Sequence, residues 1–139
     1  MDKNKLSKSW QRGFDAASAA SLHSTGLAVG QKMGAALYAG SILLSIGFND
    51  WNKTTPHSKH ETHNGNTHAE VMAVVKRWHY EKSRNLILYV SRTITNPEQT
   101  IVKYGCSRPC EKCMNLAKDY GVRRVRFFNE FGMPNEIKL

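Results

Sequence analysis

The feature that most constrains this chain is a set of three metal-ligand side chains drawn from two distant segments. His68 opens the sequence H-A-E, and Cys110 and Cys113 stand in the sequence P-C-E-K-C about forty residues later. Imidazole nitrogen and thiolate sulfur are ligands that Zn²⁺ prefers, usually in a tetrahedral arrangement. A fold that brings these three side chains to one metal ion must place the two segments side by side.

A carboxylate stands two residues beyond the histidine. Three protein ligands leave the fourth position of zinc open, which is typical of a catalytic site. Zinc lowers the pKa of a bound water to about 7, and a neighbouring carboxylate can take the proton and return it. The pattern predicts a hydrolytic metalloenzyme with His68, Cys110 and Cys113 as ligands and Glu70 as the catalytic acid and base. The alternative is a closed structural site, whose fourth ligand would be Cys106 or a histidine.

Length and composition indicate one domain. The 139 residues are enough for a sizeable core, and we expect a single domain over 1–139 with a loose tail at 1–5. The N-terminus lacks the apolar core of a signal peptide, and no apolar run is long enough for a membrane helix. Three cysteines, two of them in C-x-x-C, suit metal binding in a reducing compartment better than disulfides. We therefore expect a cytoplasmic protein without a membrane partner.

The charge balance is strongly basic. Twenty Lys and Arg residues against eleven Asp and Glu residues give a net charge of +9. Such an excess favours anionic partners, either nucleic acid or nucleotide phosphate. Because the basic residues are dispersed along the chain, an effect on solubility alone is an equally good interpretation.

Hydrophobic periodicity predicts helices alternating with strands. The predicted helices cover 6–23, 68–80 and 110–120, and the predicted strands cover 32–39, 41–48, 86–92, 101–104, 122–128 and 137–139. A tight turn at Gly40 joins the first two strands, and Gly121 ends the last helix. This order of elements indicates an α/β fold with helices on both faces of one sheet.

The polar stretch 49–66 contains three histidines at a spacing of three. His57, His60 and His63 would suit a second metal site. A solvated loop is the more common explanation of such a run.

The combined signature resembles that of the zinc-dependent cytidine deaminase superfamily, which carries H-x-E followed by P-C-x-x-C. The resemblance covers about residues 30–128. It implies a three-layer α/β/α sandwich around a mixed sheet of about five strands. A histidine as the first ligand is similar to deoxycytidylate and polynucleotide deaminases. The segment after Phe128 is too short for a crossover helix, so the last strand is expected to be antiparallel, as in cytidine deaminases and several bacterial deaminase toxins.

The resemblance also implies a reaction and a set of substrate contacts. The reaction is conversion of cytosine to uracil in a free nucleoside or nucleotide, with Zn²⁺ as cofactor and Glu70 moving protons to N3 and to the leaving amino group. The implied contacts are Asn49 with the sugar, the Ala69 amide with the base and Phe127 in a stack on the base. Arg108 departs from the family's pattern, which usually has a small or acidic residue before Pro-Cys, and we expect it to contact a phosphate. Each of three residues also has an alternative role: Asn49 would be an ordinary turn residue, Arg108 a solvated surface charge and Phe127 a core ring.

Two other functions stay open at the level of sequence. One is deamination of cytosine, or as a weaker expectation adenine, in DNA or RNA. The other is a non-catalytic zinc module that binds nucleic acid, which would leave Glu70 without a role. The absence of a dense Lys/Arg run favours the free substrate, whereas the net charge and the toxin-like C-terminus favour the polynucleotide. Relatives are commonly dimers to hexamers, so the resemblance also allows a homo-oligomer.

Overall fold

The computed structural model describes residues 6–24, 32–49, 68–76, 85–98 and 100–139, and within these ranges the chain forms three helices and six strands. The elements are α1 (Lys8–Ser21), β1 (Lys32–Ala39), β2 (Ile42–Phe48), α2 (Ala69–Lys76), β3 (Leu86–Thr95), β4 (Ile101–Gly105), α3 (Glu111–Asp119), β5 (Arg124–Phe128) and β6 (Pro134–Lys138). Among the described helices, none is both long and apolar enough to cross a membrane.

Local chemistry sets several of the element boundaries. The Ser7 hydroxyl caps α1 by accepting the Trp10 N–H at 3.3 Å, which satisfies one of the free amides of a helix N-terminus. Gly40 has φ +60° in the turn between β1 and β2, and Gly121 has φ +89° just after α3. These left-handed conformations favour glycine, so both predicted boundaries are confirmed.

The six strands form one mixed sheet organised around β3. The main path runs β2-β1-β3-β5-β6, and β4 pairs with β3 outside that path. On one edge, β1 is antiparallel to β3 along its whole length, from Lys32↔Thr93 to Ala39↔Leu86. The other edge is divided, because β5 runs parallel to the first part of β3 and β4 runs antiparallel to the last part.

The predicted architecture is confirmed, with differences in extent. The sheet has six strands in the described residues, one more than the resemblance implied, and each corresponds to a strand predicted from the sequence, including β4. The last strand is antiparallel to β5, as expected, but it starts at Pro134 and not at Ile137. Pro134 has no N–H to donate, which an edge strand tolerates. The predicted residues 77–80 of the second helix and the histidine loop lie outside the described residues.

Helices cover both faces of the sheet. α1 packs on one face through a cluster that includes Phe14, Ala17, Tyr38 and Tyr89. α2 and α3 pack on the other face around the larger cluster, which is built from alternate residues of the central strands. Its fully buried members with the largest side chains include Leu37, Leu86, Leu88, Leu116, Val71, Val90, Val125 and Phe127. Period-two alternation thus buries both faces of β3 and gives the three-layer sandwich.

Two glycines let helix backbones approach the sheet closely. A Cβ atom on Gly34 would lie 1.9 Å from the Ala17 carbonyl oxygen of α1. On the other side of the sheet, a Cβ atom on Gly47 would lie 2.2 Å from the Ala69 carbonyl oxygen of α2. Because any larger side chain at Gly47 would displace the start of α2, this glycine helps to fix the position of the segment that follows His68.

An ion-pair network ties the C-terminal hairpin to the rest of the sheet. Arg126 Nε donates to Glu136 Oε2 at 2.7 Å, and Arg124 reaches the other carboxylate oxygen at 3.1 Å. Arg126 also donates to the Tyr89 hydroxyl, and its guanidinium lies 4.4 Å from the centre of the Trp10 ring. Part of the basic excess therefore serves the interior of the fold.

We expect the Glu136 contacts to make stability depend on pH. Partial burial of the carboxyl opposes ionisation, but the hydrogen bond and charge of Arg126, together with Arg124, outweigh it and hold the pKa of Glu136 below 4.5. A lowered folded-state pKa stabilises the fold above the ordinary carboxyl pKa, and this contribution is lost as the pH falls through the folded-state value. Glu136→Gln should lower the free energy of unfolding by about 1–3 kcal/mol at pH 7.

Denaturant unfolding measured from pH 7 down to pH 3 checks this expectation, with Glu130→Gln in the exposed turn as the matched control. The difference in free energy of unfolding between the wild type and Glu136→Gln should become smaller as the wild-type carboxyl becomes protonated. The free energy of unfolding of Glu130→Gln should equal that of the wild type at every pH. A gap that stays constant over this pH range would contradict the electrostatic explanation.

Candidate metal centre

The first ligand segment leads into α2. His68 is the last residue before the helix, and Ala69 and Glu70 are its first two helical residues. Ala69 is fully buried, and Glu70 is 4% exposed even though it is a carboxylic acid. Small size at Ala69 and the bare backbone of Gly47 let this helix end press against the sheet. The histidine and the acid are thereby held on a closely packed helix N-terminus.

The second ligand segment leads into α3. Cys110 occupies the N-cap position with extended backbone angles, φ −71° and ψ 163°, and its side chain makes no capping hydrogen bond. Cys113 lies in the first turn and is 1% exposed. A thiolate near a helix N-terminus is stabilised by the free N–H groups and the helix dipole. The N-cap position of α3 is therefore occupied by a cysteine, which can bind a metal, and not by a typical capping residue such as Ser or Asp.

The two helix starts bring the three predicted ligands together. The ligand atoms of His68, Cys110 and Cys113 all lie within 4.8 Å of one another, and His68 Nδ1 is 3.3 Å from Cys113 Sγ. In a tetrahedral zinc site, bonds of about 2.0 Å to nitrogen and about 2.3 Å to sulfur put the ligand atoms about 3.5–3.8 Å apart. The separation of 3.3 Å between His68 Nδ1 and Cys113 Sγ is close to this spacing, and a set of one nitrogen and two sulfurs suits zinc by donor chemistry.

Cys106 does not join this cluster. Within the described ranges, the potential metal-binding group consists of His68, Cys110 and Cys113, and Cys106 is exposed. The alternative of a closed site with Cys106 as the fourth ligand therefore has no support in the structure. His57, His60 and His63 lie outside the described residues, so a second metal in that loop stays a hypothesis.

The electrostatics of the site depend on burial and on hydrogen bonds among its side chains. Hydrogen bonds with Cys113 and His68 lower the pKa of the Cys110 thiol to about 3, and the corresponding interaction, with burial, raises the pKa of Cys113. Burial also raises the pKa of Glu70 and outweighs its backbone hydrogen bond and the charge of His68. Glu70 is within hydrogen-bonding reach of the Cys113 thiol. A carboxyl in this environment holds a proton more readily than one in water.

The four residues predicted to contact substrate occupy different environments. Asn49 is buried at the end of β2, where its Oδ1 accepts the Met33 N–H at 2.9 Å, and Ala69 lies next to both His68 and Glu70. Arg108 is exposed, with its guanidinium 5.6 Å from the centre of the Phe127 ring. Phe127 is 1% exposed and belongs to the core beneath α2 and α3. Their roles toward a substrate stay predictions.

Sequence reasoning missed Ser107. This serine is fully buried, and its hydroxyl bonds to backbone groups of both β3 and β5 just before the second ligand segment. Its partners, Val90 and Phe128, are far away in sequence, so no local pattern marks it. The only signal is its place directly before Arg108-Pro109.

This chain is similar to known proteins in structure, but its sequence matches none of them. No family model and no curated protein matches the chain. A cytidine deaminase from Burkholderia pseudomallei superposes with a TM-score of 0.63 and 17% identity, over 96% of this chain and 93% of that one. The dCMP deaminase from the cyanophage S-TIM5 gives a TM-score of 0.54 and 19% identity in its apo form, over 90% of this chain and 82% of that one. The chain thus has the cytidine deaminase-type α/β fold.

The geometry predicts one zinc ion per chain. Metal analysis of the purified protein should give about one zinc, with one nitrogen and two sulfur ligands by X-ray absorption. Cys110→Ala should lose the metal because it removes a ligand, and Cys106→Ala is the matched control because that thiol is exposed and outside the cluster. Loss of zinc from the Cys106 variant, or four protein ligands in the wild type, would contradict an open three-ligand site.

Proposed function

We propose that this protein is a zinc-dependent hydrolytic deaminase that converts cytosine to uracil in a free nucleoside or nucleotide. The observation that carries the proposal is the convergence of His68, Cys110 and Cys113 at two helix N-termini, with the carboxyl of Glu70 buried beside them. The fold supports it, because a cytidine deaminase and a dCMP deaminase are among the structures that superpose on this chain.

The three ligands would hold zinc as an electrophilic centre. When bound, zinc supplies Lewis acidity that makes water a stronger nucleophile near neutral pH. His68 and Cys110 are partly exposed, whereas Cys113 is buried, so a substrate would approach from the side of His68 and Cys110. A closed, fully buried cluster would suit a structural metal better.

Glu70 would carry the protons of the reaction. Its carboxylate takes one proton from the attacking water and delivers it to N3 of the cytosine ring. The second proton of that water passes through the same carboxyl to the amino nitrogen, which leaves as ammonia while the C4–O bond becomes the carbonyl of uracil. Because burial raises its pKa, the Glu70 carboxyl is suited to hold a proton between these transfers.

The comparisons favour a free nucleoside or nucleotide as substrate. The S-TIM5 dCMP deaminase was also solved in complex with dCMP and dUMP, and that structure superposes with a TM-score of 0.50 and 17% identity, over 90% of this chain and 81% of that one. By analogy, the Ala69 amide, at the N-terminus of α2, would contact the base, and Asn49 the sugar. Arg108 is exposed one residue before Pro109 and could meet a phosphate as a charge-assisted partner.

A polynucleotide substrate is the second candidate, and the net charge of +9 favours it. Neutralising several phosphates would use many Lys and Arg residues and would make binding strongly salt-dependent. Arg124 and Arg126 pair with Glu136 in the fold, which lowers the excess only from +9 to +8 (18 basic against 10 acidic residues), but the remaining basic residues form no dense run in the sequence. The free substrate therefore stands first.

Glu70→Gln should abolish most of the turnover while zinc and fold are retained, because the amide cannot accept and return a proton. Loss of a general acid and base typically costs about 10²–10⁴-fold in kcat, and more when one group serves two transfers. Glu111→Gln is the matched control, since Glu111 lies in the first turn of α3 but is exposed. Near-normal turnover by Glu70→Gln, with zinc content unchanged, would rule out the assigned role.

Substrate class can be decided with cytidine, dCMP, dCTP and a single-stranded oligonucleotide. We expect turnover of at least one free compound and only weak binding of the oligonucleotide. For a polynucleotide enzyme, the logarithm of the affinity for the oligonucleotide would instead fall with the logarithm of the salt concentration, with a slope of roughly −0.7 per contacted phosphate. Arg108→Ala should raise KM about 10-fold or more for a phosphorylated substrate but not for cytidine, because one charge-assisted contact is lost. Lys112→Ala, an exposed neighbour, is the control. Turnover of the oligonucleotide alone would replace the first candidate by the second.

A further inference from the structure

The edge of β3 that faces β4 and β5 has a gap between its two partners. The ladder with β5 ends at Tyr89↔Arg126, and the ladder with β4 begins at Arg92↔Gly105. The two strands pair with different parts of β3, and the backbone of residues 90 and 91 lies outside both ladders. A buried carbonyl in such a gap requires another hydrogen-bond donor.

Ser107 fills this gap. Its hydroxyl donates to the Val90 carbonyl of β3 at 2.8 Å and accepts the Phe128 N–H of β5 at 2.8 Å. Its own backbone N–H donates to the Phe128 carbonyl at 2.8 Å. Ser107 is fully buried, so one side chain and one amide join the loop after β4 to both neighbouring strands. A hydroxyl is suited to this position because it is a donor and an acceptor at once.

The connection from Ser107 to the metal ligand is short and stiff. Only Arg108 and Pro109 separate it from Cys110. Proline fixes its own φ and restricts the residue before it to extended conformations, so this segment has little freedom. Cys110 is in turn the N-cap of α3, and its carbonyl accepts the Met114 N–H at 3.0 Å. A displacement of Ser107 would therefore be passed on to the sulfur of Cys110.

We propose that Ser107 is a positioning residue for the metal centre: its hydroxyl fixes the loop that holds Cys110 against the sheet, and so sets the distance from Cys110 to His68 and Cys113. This inference rests on the proposed function insofar as it assumes that the three residues bind zinc. It does not require turnover, because the role acts on the metal site itself. Groups that orient metal ligands typically change metal affinity by about 10–100-fold when removed.

The test is a comparison of two buried serines of similar burial and hydrogen bonding. Ser21 is also fully buried, and its hydroxyl bonds to the Ser18 carbonyl and to the Thr93 hydroxyl, both at 2.6 Å, but on the α1 face of the sheet. Ser107→Ala and Ser21→Ala each remove one buried hydroxyl with two partners. Zinc affinity is measured by competition with a chromophoric chelator, and ligand geometry by the visible spectrum of the Co²⁺-substituted protein.

Ser107→Ala should bind zinc about 10–100-fold more weakly than the wild type and should show an altered Co²⁺ spectrum. Ser21→Ala should lose thermal stability but keep the wild-type zinc affinity and spectrum. Ser107→Thr, which retains the hydroxyl, should have the zinc affinity and the Co²⁺ spectrum of the wild type. If Ser107→Ala does not fold, Ser107→Thr decides: wild-type zinc binding supports the role of the hydroxyl, and a 10-fold loss overturns it.

Wild-type zinc affinity and spectrum in a folded Ser107→Ala protein would overturn the proposal, as would the same loss in Ser107→Ala and Ser21→Ala. A wild-type protein that binds zinc but deaminates no cytosine compound would overturn the proposed function and leave the role of Ser107 standing. A wild-type protein that binds no zinc would overturn both.

Discussion

The fold depends on the pairing of β3 with three other strands. This strand pairs along one edge with β1, divides its other edge between β5 and β4, and buries side chains on both faces. Among the described strands, β3 alone pairs with three others, whereas β1 pairs with β2 and β3. The divided edge matters most for the site, because the loop before α3 is anchored between the ladders that β3 forms with β4 and β5. The position of the cysteines thus follows from strand pairing as much as from helix packing.

The buried polar groups on the two faces of the sheet have different kinds of partners. On the α1 face, buried polar groups satisfy one another: Ser18 with Ser91, Ser21 with Thr93, and Arg126 with Glu136 and Tyr89. On the opposite face, the cluster at the starts of α2 and α3 concentrates groups that compete for protons. Such a concentration of perturbed ionisable groups is common at functional sites, although structural networks also produce it. The proposed metal centre belongs to the face of α2 and α3.

The sequence predicted what is encoded locally. Alternation and helical spacing placed α1, β1, β2 and α3 within a few residues, and the two short motifs identified the residues that cluster as His68, Cys110 and Cys113. It did not predict the three extra residues of β3 or the full length of β6, because pairing within the β3–β4 and β5–β6 hairpins extends these strands beyond what their own residues indicate. Ser107 and the ring contact of Arg126 with Trp10 were missed for a different reason. Their partners become neighbours only in the folded sheet.

The central place of β3 has a consequence for the order in which the molecule can fold. α1 is formed from the first described residues, yet much of its buried face rests on β3, whose sequence follows more than sixty residues later. β5, the parallel neighbour of β3, comes later still. Contacts between segments so far apart must close large loops before they stabilise anything, which slows folding relative to a helical bundle of the same size. On a ribosome, α1 could therefore pack against β1 first, and it would lack its contacts with β3 until β3 had emerged.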